Sequence, residues 1–527
     1  MCSICKNCEG TLNMKPIPYL EINEEGLSTL FVDGKPYIAF AGEIHNSSSS
    51  SLTYMSEQVW PYLKGLYLNT VIVPVYWEQI EPTKGDFDFS IVDGIVKQAR
   101  EEKVRLVLLW FGLWKNGTSM YTPGWIKRDY KTYFRACYRG SIPSNTISPL
   151  CEAAVTADAE AFSSLMKHLK DIDGEQNTVI MMQVENEIGF LNSARDFSAL
   201  AEALFGKVAP QEICEASGRV GTWSELFGED ADEYFMAYHY ACAVEKIAKS
   251  GAAEYDLPLF VNAWLEQFPK RPGAYPSGGP IAKVMKIWRL AAPSIALYAP
   301  DIYLPNFAEV CEEYTTDKNP LFIPEARRDL VSATNVFYAV GKHNAICFAP
   351  FGIEEFLKEP TKWAHSIDPA LLLALNIDKS GFTLNGTGPF LAESYKLLGN
   401  MSGTICKYRG SGKMTGFLQN HDRGTILSLE KYDLKITYQR EEENYPISGG
   451  LVIEVSEDQF ILAGIRFTAE WLPKRGENSK VDYISIEEGT FNNDEWIMNR
   501  RLNGDEGSRI SVGNKPSALK IELYKYE

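Results

Sequence analysis

The sequence predicts a (β/α)8 TIM barrel followed by an antiparallel β-sandwich domain, and three observations support this α/β fold class. Eight short apolar segments between residues 37 and 352 alternate with helical segments. Apolar strands that alternate with helices are typical of a parallel sheet covered on both faces, and eight of them favour a closed barrel. From about residue 410 onward, polar and apolar residues alternate between turn signals, which is typical of antiparallel sheets.

We therefore expect three regions along the 527-residue chain. Residues 1–18 are predicted to form a disordered tail, 19–408 the barrel and 409–527 the sandwich. A helical insert near 196–250 is expected to follow the fourth barrel strand. No low-complexity linker separates the barrel from the sandwich, so the two domains are expected to pack tightly.

The barrel region begins with a hairpin whose strands are joined by a turn at Asp33-Gly34, within LFVDGKPYIAFAGEIHN. The eight predicted barrel strands share a near-continuous apolar run. They are YIAFAGEI (37–44), NTVIVPVYW (69–77), VRLVLLWFGLW (104–114), TVIMMQVENEIGF (178–190), LPLFVNAW (257–264), SIALYAPDIY (294–303), NPLFIPEA (319–326) and AICFAPFG (345–352).

Predicted helices separate the earlier of these strands from one another. Residues 52–66 and 157–170 carry apolar residues at the helical period. A third helix is predicted from Ser90 to about Glu102, where Ser90 and Asp93 resemble a capping box.

Composition excludes several classes of partner. A formal net charge of -17 argues against nucleic acids and anionic membrane surfaces, since neither presents the positive charge that such a protein would attract. The chain shows no signal-peptide core and no apolar run of membrane-span length, so we expect a cytoplasmic protein. Ten scattered cysteines fit reduced thiols, and the group Cys2, Cys5 and Cys8 lacks a fourth ligand at a suitable distance. No metal or cofactor is therefore expected.

Two carboxylates at predicted strand ends are the candidates for chemistry. Barrel enzymes place catalytic groups at the C-terminal ends of their strands, where Glu187 follows the fourth strand and Glu325 ends the seventh. One such acid can protonate a leaving oxygen while the other attacks or activates water. Either acid alone could equally be a salt-bridged strand end. Strand alternation predicts that Glu185 points to the same side as Glu187, one layer deeper, as a supporting acid.

The segment QVENEIG (183–189) closely resembles the acid/base motif of family-35 glycoside hydrolases, the β-galactosidase family. FAGEIH (40–45) and NTVIVPVYWEQIEPTKGDFDF (69–89) are similar to the same family. PLFIPEARRD, NAICFAPFGIEEF and LWFGLWKNG resemble a bacterial branch in which a β-sandwich follows the barrel.

The resemblance implies a role for three residues. Glu187 would be the acid/base, Glu325 the nucleophile, and Asn186 the partner of the sugar hydroxyl next to the anomeric carbon. Further candidates for substrate binding lie at or just after predicted strand ends; they are Glu43, Trp110, Asn116, Trp264 and Tyr303. His45 is expected to be a hydrogen-bonded structural residue near the site.

Two departures leave the sugar open. Typical family members carry a tyrosine on the second strand where this chain has Pro74, and a third strand similar to GPY.CAEW where this chain has LLWFGLW. Those positions help to recognise galactose in the family, whereas the chemistry of the two glutamates does not depend on them.

We therefore predict an exo-acting retaining β-glycosidase, with a β-galactosidase as the first choice, acting on small oligosaccharides or glycosides. Its two carboxyl groups are expected to lie about 5–5.5 Å apart. A retaining β-glucosidase or a transglycosylase would use the same glutamates, and a non-catalytic sugar-binding protein remains a third alternative. A triad hydrolase is disfavoured because no Gly-x-Ser-x-Gly elbow is present. The expected partner is the carbohydrate substrate. The size of the helical insert and of the β domain also suggests a possible homodimer contact.

Overall fold

The computed structural model describes residues 16–24, 26–358, 379–507 and 510–527, and a closed barrel of eight parallel strands lies at its centre. Cys2, Cys5, Cys8 and most of the predicted tail lie outside the described residues. Each of the eight apolar segments contributes one strand, so the predicted barrel is confirmed. Antiparallel sheets follow the barrel, as predicted.

The strands up to the end of the barrel are β1 (Tyr19–Ile22), β2 (Ser28–Val32), β3 (Lys35–Tyr37), β4 (Ala39–Glu43), β5 (Thr70–Tyr76), β6 (Arg105–Lys115), β7 (Arg135–Tyr138), β8 (Ile142–Ile147), β9 (Val179–Asn186), β10 (Leu259–Trp264), β11 (Leu297–Ile302), β12 (Phe322–Ala326) and β13 (Cys347–Pro350). The later strands are β14 (Met414–Leu418), β15 (Gly424–Ser428), β16 (Tyr432–Tyr438), β17 (Gly449–Glu454), β18 (Gln459–Ile465), β19 (Phe467–Pro473), β20 (Lys480–Asn492), β21 (Glu495–Leu502), β22 (Ile510–Val512) and β23 (Ser517–Tyr526).

The α-helices are α1 (Leu52–Tyr54), α2 (Trp60–Leu63), α3 (Trp77–Ile80), α4 (Ser90–Glu102), α5 (Gly124–Arg128), α6 (Glu152–Asp173), α7 (Ala199–Phe205), α8 (Gln211–Ser217), α9 (Trp223–Phe227), α10 (Ala231–Glu254), α11 (Met285–Ala291), α12 (Phe307–Tyr314), α13 (Ser332–His343), α14 (Thr387–Asn400) and α15 (Ser402–Tyr408). A π-helical segment, Met55–Val59, joins α1 to α2. No helix within the described ranges combines the length and the apolar character that crossing a membrane would require.

The barrel closes in the order β4, β5, β6, β9, β10, β11, β12 and β13, with β13 returning to β4. A small cluster of side chains fills its interior, among them Ile72, Leu109 and Phe322. A much larger cluster lies between the strands and the surrounding helices. Because both faces of each strand are buried, the strands read as continuous apolar runs in the sequence.

Two local predictions have different outcomes. The hairpin turn is confirmed, because Asp33 and Gly34 have φ angles of 52° and 72° between paired strands β2 and β3. The capping box at Ser90 is wrong, because Ser90 is already the first residue of α4 and no side chain caps that helix. The Ser90 amide instead donates to the Asp88 carboxylate at 2.9 Å.

The C-terminal strands form two antiparallel sheets. One contains β14, β17, β18, β23, β20 and β21, and the other contains β15, β16, β19 and β22. Buried side chains from both sheets, such as Leu434, Trp471 and Leu462, form one core between them. Alternation of buried and exposed residues along strands such as β16 explains why this region was recognised from the sequence.

Helix α13, which follows barrel strand β12, packs directly on β14 and β17 of the larger C-terminal sheet. The approach is close enough to require glycines, because a Cβ on Gly341 would lie 2.7 Å from Leu451 Cβ. A Cβ on Gly416 would lie 2.9 Å from the backbone nitrogen of Lys342. A hydrogen bond of 2.9 Å from the Thr334 hydroxyl to the Ile447 carbonyl adds a polar contact. The barrel and the sheets are therefore firmly joined at this helix.

Candidate active site

The ends of four neighbouring strands, β9 to β12, bring polar side chains together at the C-terminal mouth of the barrel. One carboxylate oxygen from each of Glu187, Asp301 and Glu325 lies within 4.8 Å of the others, and all three residues are buried. Strand register explains the meeting, since Asp301 of β11 pairs directly with Glu325 of β12. The two glutamates expected to act together are thus adjacent in space.

Asn262, on β10, connects the members of this cluster. Its side-chain oxygen accepts a hydrogen bond from the Glu187 backbone amide at 2.8 Å. Its amide nitrogen donates to Asp301 Oδ2 at 2.8 Å and approaches Glu325 Oε1 at 3.5 Å. One buried amide therefore fixes the backbone of Glu187 and the side chain of Asp301 relative to Glu325.

Glu325 is held by a tyrosine on the preceding strand end. The Tyr303 hydroxyl donates to Glu325 Oε2 at 2.6 Å, and burial together with the Glu325 charge raises the pKa of Tyr303 well above its usual value. The tyrosine therefore stays a hydrogen-bond donor over the ordinary pH range. The Tyr303 ring also stacks on Phe382, with centroids 4.6 Å apart, which fixes its direction.

The environment of Glu187 favours its protonated form. Burial, and then the charge of Glu325, raise the pKa of Glu187 to about 8, while Lys115 lowers it. A carboxyl group that is neutral near pH 7 can donate a proton, as an acid catalyst must. Its backbone has a φ of 45°, a left-handed conformation that turns the side chain at the strand end.

Glu43, at the end of β4, has a buried carboxyl group whose two oxygens find no hydrogen-bond partner among the described residues. Burial and the neighbouring charge of Glu325 raise its pKa well above the usual value. The pKa of Asp301 is raised in the same direction by burial and by Glu325. Leaving both oxygens of a buried carboxyl unsatisfied costs free energy, so Glu43 is well suited to meet polar groups of a ligand.

Lys115 is the cation that acts on these acids. It ends β6, is almost fully buried, and lowers the pKa of Glu43, Glu187 and Asp301 through its charge. Its ammonium group also lies 4.9 Å from the centroid of the Phe111 ring. One lysine among four carboxyl groups leaves the mouth acidic overall.

Glu185 does not point to the same side as Glu187, and this sequence prediction is wrong. Glu185 Oε2 accepts from the Trp114 amide at 2.6 Å and Oε1 from the Leu113 amide at 3.1 Å. Its carboxyl also meets Asp158 of α6, outside the barrel wall. The φ of 63° at Glu185 breaks the alternation of side chains on which the prediction rested.

Trp110 lies behind the wall as well. Its indole N–H donates to Asp158 Oδ1 at 2.7 Å, and its ring packs against Phe162 of α6 with centroids 5.8 Å apart. Alternation along β6 sends Leu109 and Phe111 into the barrel and Trp110 toward the helices. The structure therefore does not bring Trp110 to the site.

The remaining candidates lie at the mouth. Asn186 Oδ1 accepts from Gln183 Nε2 at 3.0 Å and from Asn262 Nδ2 at 3.3 Å. The Asn116 amide donates to the Asn186 carbonyl at 3.1 Å, so Asn116 supports the end of β9 through its backbone. Trp264 ends β10 in register with Asp301 and is mostly buried.

Sequence reasoning left Asn262 and Lys115 out of the site and treated Asp301 only as a strand-end residue. A polar residue inside the apolar run LFVNAW was the available signal for Asn262. His45, expected to be structural, forms an ion pair of 3.3 Å with Glu355 if protonated. Three carboxylate oxygens at this spacing could also hold a hard cation, but Asn262 and Tyr303 already donate to two of the acids.

Comparison with known proteins finds two family matches. The model of glycosyl hydrolases family 35 matches residues 29–272, and a domain of unknown function, DUF5597, matches residues 391–512. A beta-galactosidase of Xanthomonas manihotis is 29% identical over 189 residues, which is 34% of this chain and 28% of that protein. The chain thus matches less than a third of the length of this curated relative.

Two solved structures are similar at low identity. The beta-galactosidase from Bacillus circulans sp. alkalophilus is 15% identical with a TM-score of 0.45, covering 70% of this chain and 57% of that one. The beta-galactosidase from the psychrophilic Marinomonas ef1 is 10% identical with a TM-score of 0.46, covering 69% and 60%. The family match, which includes β9 and its Asn186-Glu187 end, is the firmer finding. The chain is therefore similar to glycosyl hydrolases family 35 over residues 29–272 and to the DUF5597 domain over residues 391–512.

Proposed function

We propose that the protein is an exo-acting retaining β-glycosidase, with Glu325 as the nucleophile, Glu187 as the acid/base and a β-galactoside as the first substrate to test. The observation that carries the proposal is the close pair of carboxyl groups at the ends of β9 and β12. Oxygens within 4.8 Å favour the retaining arrangement of about 5–5.5 Å over the roughly 6.5–9.5 Å that leaves room for an attacking water.

In the first step Glu325 attacks the anomeric carbon, and the bond from that carbon to the leaving oxygen breaks. Glu187 gives its proton to the leaving oxygen. The raised pKa of Glu187, about 8, supports this role because the group holds a proton at neutral pH. The Tyr303 hydroxyl and Asn262 direct Glu325 toward the sugar by binding its two oxygens.

In the second step a water molecule attacks the anomeric carbon of the glycosyl-enzyme. Glu187, now ionised, takes a proton from that water, and the carboxylate of Glu325 is released. Formation of the glycosyl ester removes the charge of Glu325, which is the neighbouring charge that raises the pKa of Glu187. The pKa of Glu187 therefore falls when it must act as a base.

Glu43 and Asn186 are proposed to bind hydroxyl groups of the sugar. Glu43 is buried with both carboxyl oxygens unpaired among the described residues, so a hydroxyl of the sugar would remove that cost. Asn186 lies one residue before the acid/base, with its side-chain oxygen already fixed by Gln183. A galactoside is supported by the name of the Xanthomonas manihotis relative, whereas Pro74 departs from the family pattern.

A panel of 4-nitrophenyl β-glycosides that differ in the sugar tests the proposal directly. Release of nitrophenol, together with a first-formed sugar of the β configuration by NMR, is expected. A first-formed α-sugar would contradict the retaining mechanism, and no release from any β-glycoside would contradict the function. Adding acceptor sugars separates hydrolysis from transfer, because only a transglycosylase would accumulate oligosaccharides. Deoxy analogues of the best substrate then identify the hydroxyls that Glu43 and Asn186 bind.

A further inference from the structure

A second pair of buried acids lies behind the barrel wall, next to the candidate active site. Asp158 of α6 and Glu185 at the end of β9 are both fully buried. A Cβ placed on Gly112 would lie 2.5 Å from Asp158 Oδ2 and 2.7 Å from Glu185 Oε1, so these two oxygens face each other across that glycine. The Leu113 amide donates to both of these oxygens, so the two carboxyl groups lie side by side.

The pair fills a gap in the strand ladder. Trp110 of β6 pairs with Val184 of β9, and the next pair is Lys115 with Asn186. Four residues of β6 therefore stand opposite a single residue of β9, Glu185. Such a bulge leaves backbone amides without strand partners, and a buried unpaired amide is costly.

The carboxyl pair accepts these amides. The Leu113 amide donates to Asp158 Oδ2 at 2.8 Å and to Glu185 Oε1 at 3.1 Å. The Trp114 amide donates to Glu185 Oε2 at 2.6 Å. Beyond the bulge, the amides of Asn116 and Gly117 donate to the carbonyls of Asn186 and Glu187 at 3.1 and 3.2 Å. The bulge thus decides where Lys115 and the backbone of the acid/base lie.

Two adjacent buried carboxyl groups cannot both be ionised without a large cost. Burial raises the pKa of Asp158 to about 6, and burial together with the neighbouring Asp158 raises the pKa of Glu185 well above its usual value. The charge that acts on Asp158 from the next element is Glu81, just after α3. Its carboxylate binds the Trp77 indole and the Gly85 amide, both at 2.7 Å.

We propose that Asp158 and Glu185 hold one proton between them, and that this pair is the positioning element that sets Lys115, Asn186 and Glu187 in the site. The part that concerns catalysis rests on the proposed glycosidase function. The pair touches no substrate, so both acids are positioning residues. Glu185→Gln preserves the arrangement, because its side-chain NH2 donates to Asp158 where the shared proton stood and its oxygen still accepts from Trp114. The Leu113 amide, which loses Glu185 Oε1 as an acceptor, keeps its shorter bond to Asp158 Oδ2. Asp158→Ala removes the pair.

The shared proton is tested by thermal unfolding as a function of pH, which needs no activity. A carboxyl whose pKa is raised in the folded state contributes stability at low pH, and that stability is lost as the pH rises through the folded pKa. The Tm of the wild type should therefore fall more steeply between pH 5 and 8 than that of Glu185→Gln. Equal slopes would overturn the shared proton.

Positioning is tested by kcat and by crystal structures of the variants. Asp158→Ala should lower kcat on a 4-nitrophenyl β-glycoside by about 100-fold, the order expected for a misplaced catalytic group, and Glu185→Gln should stay within about threefold of wild type. Asp173→Ala is the matched control, since Asp173 is a buried acid on the same helix that binds the opposite end of β9. It should lower the Tm and leave kcat unchanged.

Wild-type kcat in Asp158→Ala would overturn the positioning role. If the wild type hydrolyses no glycoside, the proposed function fails, but the crystal structure of Asp158→Ala still decides the positioning. Loss of the hydrogen bonds from Asn116 and Gly117 to the end of β9 supports it, and their retention contradicts it.

Discussion

The two ends of strand β9 handle buried acids in opposite ways. At the N-terminal end, Asp173 accepts from the Val179 amide at 2.7 Å and from Arg100 at 2.6 Å. At the C-terminal end, Glu187 meets two further acids, Asp301 and Glu325. Acids that are paired with cations stabilise the fold, whereas acids that crowd one another raise each other's pKa. The comparison teaches that the acids at the mouth of the barrel are held in an arrangement that costs stability, and the proposed proton transfer explains why such an arrangement would be kept.

The largest effect is expected from Glu325→Gln. Without a nucleophile, no glycosyl-enzyme can form, so kcat should fall by at least about 10⁴-fold. Stopped-flow and steady-state assays on the best nitrophenyl glycoside measure the loss. If the variant kept more than a few per cent of wild-type turnover, Glu325 would not be the nucleophile, and the contrast between the two ends of β9 would lose its basis.

Glu187→Gln should have a large effect that depends on the leaving group. General acid catalysis contributes about 10²–10⁴-fold, and a nitrophenolate leaves with little help from a proton. We expect a loss of about 10³-fold or more on a disaccharide and a smaller loss on the nitrophenyl glycoside in the glycosylation step. Equal losses on both substrates would show that Glu187 is not the proton donor.

The rate should depend on pH through the same residue. Because Glu187 must be protonated for the first step and its pKa is about 8, kcat/KM should fall by about tenfold per pH unit above pH 8. The raised pKa also means that the contribution of Glu187 to folding stability is fully present below its usual pKa of 4.5 and is lost as the pH rises through about 8. Glu187→Gln should flatten that decline in Tm; an unchanged decline would contradict the assignment.

A moderate effect is expected from Tyr303→Phe. The variant loses the 2.6 Å hydrogen bond to Glu325, and a hydrogen bond to a charged group contributes about 1.5–3 kcal/mol, or roughly 10–100-fold in kcat. Tyr298→Phe is the matched control, since Tyr298 lies on β11, the strand that Tyr303 follows, and its buried hydroxyl finds no partner among the described residues. Similar losses in both variants would mean that the effect is one of packing.

The smallest effect on activity is expected at the other end of β9. Asp173→Ala should lower the free energy of unfolding by about 2–4 kcal/mol, because it leaves the Val179 amide unpaired and Arg100 without its acid. Its kcat should match that of the wild type. Chemical denaturation and steady-state kinetics together check this, and a parallel loss of kcat would erase the contrast between the two ends.

The barrel was predictable because its strands are buried on both faces, and the candidate catalytic acids were found because they follow strands. Eight apolar runs sufficed to locate the eight strands, and the rule for strand ends selected Glu187 and Glu325. The sandwich was predictable because one face of its strands is solvated, which produces visible alternation.

Some predictions of side-chain direction failed because the backbone is irregular at those positions. The bulge of β6 and the left-handed conformation of Glu185 turn a side chain that strand alternation assigns to the barrel interior. Trp110 was expected at the mouth because its position along the strand was considered without its direction. Asn262 and Lys115 were missed because neither belongs to a recognisable sequence motif. Their contacts with the acids form only when strands that are distant in sequence meet in the barrel.

The glycine contacts between α13 and the C-terminal sheet bear on how the protein can change during evolution. Helix α13 follows the strand that carries Glu325, and Gly341 and Gly416 leave no room for even one methyl group. A substitution on one side of that contact must be compensated by a shift on the other. Barrel and C-terminal sheets are therefore expected to be inherited as a unit and to exchange poorly as separate modules between proteins.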